Sequence, residues 1–196
     1  ILDYKNYFNN SVKILKIKNF YDLRGKFSQI YEKKDYSLIG IKNNFIQDNY
    51  SYTKKINTIR GLHYQTNPFQ QAKLLTILKG GLLDVVVDLR KDSKFYGNSM
   101  TFNLSDKSFN QIFIPRGFAH GFKSKTENVE ILYKVDNLYS KKNEKTIMWN
   151  DKILKINWKI NRHKPILSKK DTEGDIFNFK NIRLWKKILL LQADVG

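Results

Sequence analysis

Leu74-Leu75-Thr76-Ile77-Leu78-Lys79-Gly80-Gly81-Leu82-Leu83-Asp84-Val85-Val86-Val87-Asp88-Leu89 carries the clearest structural signal in this chain. Two runs of aliphatic and β-branched residues flank Lys79-Gly80-Gly81, and glycine supplies the positive φ of a tight turn, so the stretch predicts a hairpin. Working outward, further strands are expected at Phe45 to Ser51, Met100 to Leu104, Gln111 to Ile114 and Val129 to Val135, separated by short Gly, Asn, Asp or Ser turns. Helical periodicity is scarce. Many short strands with frequent turns predict a mainly β fold, a jelly-roll barrel or sandwich with a few short peripheral helices.

Only the last third departs from this rhythm. Leu154 to Trp158 is followed by a polar stretch from Asn161 to Asp175, and Leu184, Trp185, Ile188 and Leu191 are spaced for a short helix over Ile182 to Leu191. The 196 residues fit one domain, with a core jelly roll over about 12–160 and a C-terminal segment, 161–196, packing outside it and closing the site. A 41% hydrophobic and 14% aromatic content belongs to a folded chain, because disordered chains lack the apolar surface that offsets backbone ordering.

The formal charge of +18 invites a nucleic-acid reading, but the lysines are dispersed and read as a solvated surface, the alternative being a field that attracts anionic substrates or polymers. Neither nucleic acid nor a membrane is an expected partner. No run approaches the ~18 apolar residues of a membrane span, and Ile1 to Phe20 lacks the hydrophobic core of a signal peptide, so a cytoplasmic protein is expected. The absence of cysteine excludes disulfides, thiolate nucleophiles and Cys-ligated zinc.

Three histidines occur, His63, His120 and His163. His120 lies in Ile114-Pro115-Arg116-Gly117-Phe118-Ala119-His120-Gly121-Phe122, and its Pro-x-Gly-x-x-His spacing is similar to the second motif of cupins. Metal-binding cupins carry a His-x-His pair and a Glu on an earlier strand, whereas this chain has Gly61-Leu62-His63-Tyr64-Gln65, one imidazole where a metal wants two. No metal is therefore expected. The ionisable residues read instead as acid–base machinery.

A longer series of motifs follows in order: Asp22-x-Arg24-Gly25-x-Phe27, Gln47-Asp48-Asn49-x-Ser51, Arg60-Gly61-Leu62-His63-Tyr64-Gln65, Gln71-Ala72-Lys73-Leu74, the Asp84 to Arg90 run, the Ile114 to Phe122 run, Leu132-Tyr133-Lys134, Trp149-Asn150-Asp151 and Leu167-Ser168-x-Lys170-Asp171. Together they resemble the dTDP-4-dehydrorhamnose 3,5-epimerase family, over roughly Val12 to Asp171. The resemblance implies a cofactor-free isomerase acting on a dTDP-4-keto-6-deoxyhexose in a route to dTDP-L-rhamnose or a related surface sugar. His63 would be the base, Asp171 its tautomer-fixing partner, Lys73 the cation beside the developing oxyanion and Tyr133 the acid on the opposite face. His120 would contact the sugar and Arg24 and Arg60 the diphosphate, with Gln47, Asp48, Asn49, Glu144 and Lys170 as further ligand contacts and Tyr139 stacked on thymine. Gln29 stands where the family usually has Glu. Family members are homodimers that exchange strands, which would put Arg24 and Gln29 at the neighbour's site.

The nearest alternative is a relative that epimerises only C3 or only C5 of another 4-keto sugar nucleotide. A non-catalytic cupin that binds an anionic sugar is the alternative from another class; it has no need for His63, Lys73, Tyr133 and Asp171 together.

Overall fold

The computed structural model describes residues 1, 3–160 and 164–178. His163 and the Ile182 to Leu191 stretch expected to be helical lie outside them.

The described chain runs β1 (Asp3–Tyr7), β2 (Val12–Lys16), β3 (Phe20–Asp22), β4 (Gly25–Phe27), α1 (Lys33–Leu38), β5 (Gln47–Thr53), β6 (Ile59–Gln65), β7 (Lys73–Lys79), β8 (Gly81–Asp88), β9 (Ser99–Ser105), β10 (Gln111–Ile114), β11 (Phe118–Ser124), β12 (Val129–Val135), β13 (Glu144–Thr146) and α2 (Lys169–Thr172). A six-stranded sheet in the order β1-β2-β10-β7-β12-β5 faces a five-stranded sheet in the order β13-β6-β11-β8-β9, and β3 and β4 form a separate exposed hairpin. This is the expected mainly β jelly roll. The strands at β10 and β12 fall where the sequence puts them, while strand pairing begins upstream of Val12, at Asp3 opposite Lys16.

The expected hairpin from Leu74 to Leu89 does not form. β7 pairs with β10 and β12, whereas β8 pairs with β9 and β11, so Gly80 turns the chain from one sheet into the other. The turn's amides are taken by side chains from distant loops: Gly80 N donates to Asp106 Oδ2 at 3.2 Å and Gly81 N to Thr126 Oγ1 at 3.0 Å. Gly80 is required there, since its φ is +83° and an added Cβ would come within 2.5 Å of Thr126 Oγ1. Continuous apolar runs on both sides of a turn signal strands buried on both faces.

Burial follows from three layers. Between the sheets, residues such as Ile77, Leu82, Val86, Ile112 and Ile131 make the main core. Outside the five-stranded sheet, Val85, Val87 and Ala119 are covered by Ile147, Leu154, Trp158 and Phe177 from the later chain, which is why all eight residues of β8 are buried. Outside the six-stranded sheet, Tyr36 of α1 and Ile41 cover Leu15, Leu74 and Phe113. Tyr36 Oη anchors this layer through Gln111 Oε1 at 2.6 Å.

β5 keeps strict alternation, with Gln47, Asn49 and Ser51 half-buried and Asp48, Tyr50 and Tyr52 exposed. β6 and β11 approach closely at Gly61, where φ is +114° and an added Cβ would lie 2.6 Å from Gly121 Cα. Backbone cannot yield as a flexible side chain does. Gly61→Ala is expected to lose about 2 kcal/mol or more in chemical denaturation; a loss under about 0.5 kcal/mol would show that the two strands can part freely.

Candidate active site

The β6–β11 pair sets His63 directly opposite His120, with both side chains on the cavity side. Across from them, β7 and β12 of the other sheet contribute Lys73 and Tyr133. These four residues, with Arg60, Phe122 and Asp171 among others, line a cavity of about 420 Å3 between the sheets. A neighbouring cavity of about 350 Å3 shares His63, Lys73 and Tyr133 and is continued by Gln47, Asn49, Tyr139 and Glu144. The shared residues stand where the two compartments meet.

His63 Nε2 lies 2.6 Å from Asp171 Oδ1. Asp171 is 2% exposed, and such a carboxylate persists only if its oxygens find donors. Oδ1 also accepts from Gly61 N at 3.2 Å, and Oδ2 accepts from Ser168 Oγ at 2.7 Å. Burial pushes the Asp171 carboxyl up, but the bonds from His63, Ser168 and Gly61 outweigh it and hold it below the usual carboxylate range. An ionised acceptor at Nε2 requires that nitrogen to donate, so the lone pair of His63 is on Nδ1. Ser168 caps α2, which fixes where Asp171 enters the site.

A second pair sits beside the first. His120 Nε2 is 2.8 Å from Asp84 Oδ2, and Asp84 is fully buried. Among the described residues Asp84 Oδ1 has no hydrogen-bond partner, but the carboxylate's charge acts on Lys73. Burial pushes the Lys73 ammonium down to about 8 against the opposing pull of Asp84 and Glu144. Burial pushes the Tyr133 phenol up, with Glu144 adding to this and Arg60 opposing it, so it stays protonated through neutral pH.

The surrounding residues are placed by their strands. Arg60 donates to Thr53 Oγ1 at 3.1 Å and to the Tyr52 carbonyl at 3.0 Å, and Gln47 Nε2 donates to Asn49 Oδ1 at 2.7 Å. Glu144 accepts from Tyr139 Oη at 3.0 Å and pairs with Lys170. Burial raises its carboxyl, but the bonds from Lys170 and Tyr139 bring it below the ordinary value.

Four expected site residues line neither cavity; one of them, Lys170, meets the site only through its pair with Glu144. Asp48 sits between Gln47 and Asn49 on the outward face of β5, paired with Lys134 at 2.8 Å; the two-residue period of a strand sends it away from its neighbours. Arg24 is in the β3–β4 hairpin, its side chain 90% exposed and paired with Asp22 at 2.5 Å, and Gln29 lies just past that hairpin. Sequence reasoning gave no role to Asp84 or Ser168. A lone carboxylate inside Leu82-Leu83-Asp84-Val85-Val86 was a signal, because a buried charge needs a partner. Among the described residues no three His, Asp or Glu side chains gather as a metal site.

A jelly roll enclosing a histidine–carboxylate pair, a lysine and a protonated tyrosine defines an acid–base enzyme. The model of the family described as dTDP-4-dehydrorhamnose 3,5-epimerase matches residues 10–178, and the chain belongs to that family. It is 41% identical over 167 residues to the dTDP-4-dehydrorhamnose 3,5-epimerase of Shigella flexneri, covering 85% of this chain and 91% of that one. Among solved structures, the enzyme of that name from Bacillus anthracis, with TDP and PPi bound, is 40% identical with a TM-score of 0.84, covering 88% of this chain and 97% of that one. The dTDP-6-deoxy-D-glucose-3,5-epimerase of Legionella pneumophila, in complex with dTDP-4-keto-L-rhamnose, is 34% identical with a TM-score of 0.83, covering 89% and 92%.

The charge on Lys73 has a measurable cost. Its folded value of about 8 lies below the ordinary lysine value of 10.5, so folding disfavours the proton and stability rises with pH across that window. Wild type is expected to gain stability relative to Lys73→Met between pH 7 and pH 10 in chemical denaturation. An equal difference at both pH values would contradict the burial of that ammonium.

Proposed function

We propose that this chain converts dTDP-4-keto-6-deoxy-D-glucose into dTDP-4-keto-L-rhamnose by removing and returning protons at C3 and C5. The observation that carries the reading is that His63 and Tyr133 stand on the two facing sheets and line the same cavity, with Lys73 beside them. Inversion of a carbon needs a base on one side and an acid on the other.

The C4 ketone acidifies the hydrogens on both neighbouring carbons. His63 Nδ1 takes the proton as the C–H pair delocalises onto O4, and the Lys73 ammonium stabilises the oxyanion in a site partly shielded from water. Tyr133 then delivers its phenolic proton from the opposite face; once His63 has released the proton it took to solvent and the Tyr133 phenolate has regained one from solvent, the cycle repeats at the second carbon. The substrate's own carbonyl is the electron sink, so the chemistry calls for no cofactor. Asp171 acts through His63, and His120, held by Asp84, is a further polar contact for the sugar.

The second compartment suits the nucleotide. Gln47, Asn49, Tyr139 and Glu144 line the space expected for sugar and base, Lys170 pairs with Glu144 at its margin, and Arg60 of the adjoining compartment offers a forked donor for diphosphate oxygens. The β3–β4 hairpin exposes Phe20, Tyr21, Leu23 and Phe27, an apolar surface that supports a homodimer in which the hairpin and the residues just after it carry Arg24 and Gln29 to the neighbour's site. A nucleotide-sugar substrate fits a cytoplasmic protein, and no helix among the described residues is long and apolar enough to cross a membrane.

Incubation of dTDP-4-keto-6-deoxy-D-glucose with the protein in deuterated water, followed by NMR, should place deuterium at both C3 and C5. Deuterium at neither carbon would defeat the proposal, and deuterium at one alone would reduce it to a single-centre epimerase. His63→Ala is expected to lower turnover by about 10³-fold or more, the scale of a lost general base. Tyr133→Phe should still exchange the substrate hydrogen without correct inversion; normal product from it would remove Tyr133 from the acid role.

A further inference from the structure

A different concave site lies on the outer face of the five-stranded sheet, away from the compartments that hold Arg60 and Tyr139. Leu83 of β8 and Lys123 of β11 form its floor, Asn103 of β9 one side, and Lys159, Lys164 and Ile166 another; it encloses about 570 Å3. Four lysines, Lys123, Lys125, Lys159 and Lys164, line it, and none of its described lining residues is a carboxylate.

Lys123 is the most telling of them. It is only 8% exposed, and its Nζ donates to the Lys159 carbonyl at 2.5 Å. Lys125 Nζ donates to Asn103 Oδ1 at 3.0 Å. These acceptors satisfy hydrogen bonds without neutralising charge. Burial pushes the Lys123 ammonium down, and repulsion from Lys125 and Lys159 pushes it further, as expected where cations converge. A buried cation normally keeps an anion beside it.

The remaining walls, Ile56, Leu83 and Ile166, are apolar. Convergent cations beside an apolar surface match a small molecule that is anionic at one end and apolar at the other. We infer that this cavity binds a phosphate monoester, its phosphoryl oxygens on Lys123, Lys125 and Lys159 and its organic body against Ile56, Leu83 and Ile166.

The site adjoins the catalytic cavity through one residue. Ile166 lines both, and its backbone is tied to the strand beneath by Ile59 N to Ile166 O at 2.9 Å and Ile166 N to Asn57 O at 3.0 Å. An occupant therefore braces the stretch that leads into Ser168 and Asp171.

Phenyl phosphate titrated into ¹⁵N-labelled protein and followed by amide NMR tests this directly, with inorganic phosphate as the second ligand. Phenyl phosphate should shift the amides of Leu83, Asn103 and Lys123. Lys159→Gln/Lys164→Gln, two exposed positions whose replacement leaves the core untouched, should weaken it about tenfold or more, while Arg60→Gln should leave it unchanged. Inorganic phosphate should perturb the same amides with lower affinity. Shifts confined to His63, Arg60 and their neighbours, undiminished affinity in the lysine variant, or no shifts at all would each overturn the proposal. Equal affinity for the two ligands would assign the site to the free ion and contradict the apolar contact.

Discussion

The hydrogen bond between Asp171 and His63 joins the late part of the chain to the sheet that carries the chemistry. Asp171 is a buried carboxylate with three donors, the His63 ring, the Gly61 amide and the Ser168 hydroxyl. Loss of the Ser168 hydroxyl would leave Oδ2 without a partner and loss of His63 or Gly61 would leave Oδ1 with one, each at a buried position where this is costlier than losing an exposed contact. The bond also links folding to function. The same oxygen that helps lock α2 onto β6 dictates which nitrogen of His63 bears the proton.

Charge organises the rest of the interior. Two carboxylates, Asp171 and Asp84, each hold a histidine, and the histidines face one another across adjacent strands. Asp84 uses one oxygen on His120 and leaves its field to support Lys73, which burial alone would drive further towards neutrality. Tyr133, on the wall opposite His63, is kept as a phenol by the same burial. In the proposed reaction one sheet supplies the proton acceptor and the other a cation and a proton donor. The high positive charge of the whole chain adds a field suited to a diphosphate substrate.

Much of this was legible in the sequence, for identifiable reasons. Strand alternation is a local property, so the mainly β class and strands such as Val129–Val135 could be read directly. The fate of Gly80-Gly81 was not local: a hairpin and a corner between sheets use the same residues, and the choice was made by Asp106, Thr126 and the pairing of β7 with β12. Asp48 was grouped with Gln47 and Asn49 because motifs are read consecutively, although a strand sends consecutive residues to opposite faces. His63 and Asp171 are far apart in the chain, and only the resemblance joined them; no periodicity predicts a contact that depends on how a four-residue helix docks.

The position of one proton tests the account most directly. With ¹⁵N-labelled histidine, at a pH where the imidazole is neutral, the two ring nitrogens of His63 give separable NMR shifts that report which is protonated. The proton should reside on Nε2, towards Asp171, with Nδ1 bare towards the cavity. A proton on Nδ1, or one shared evenly between the nitrogens, would contradict the assignment of His63 as the base that Asp171 prepares.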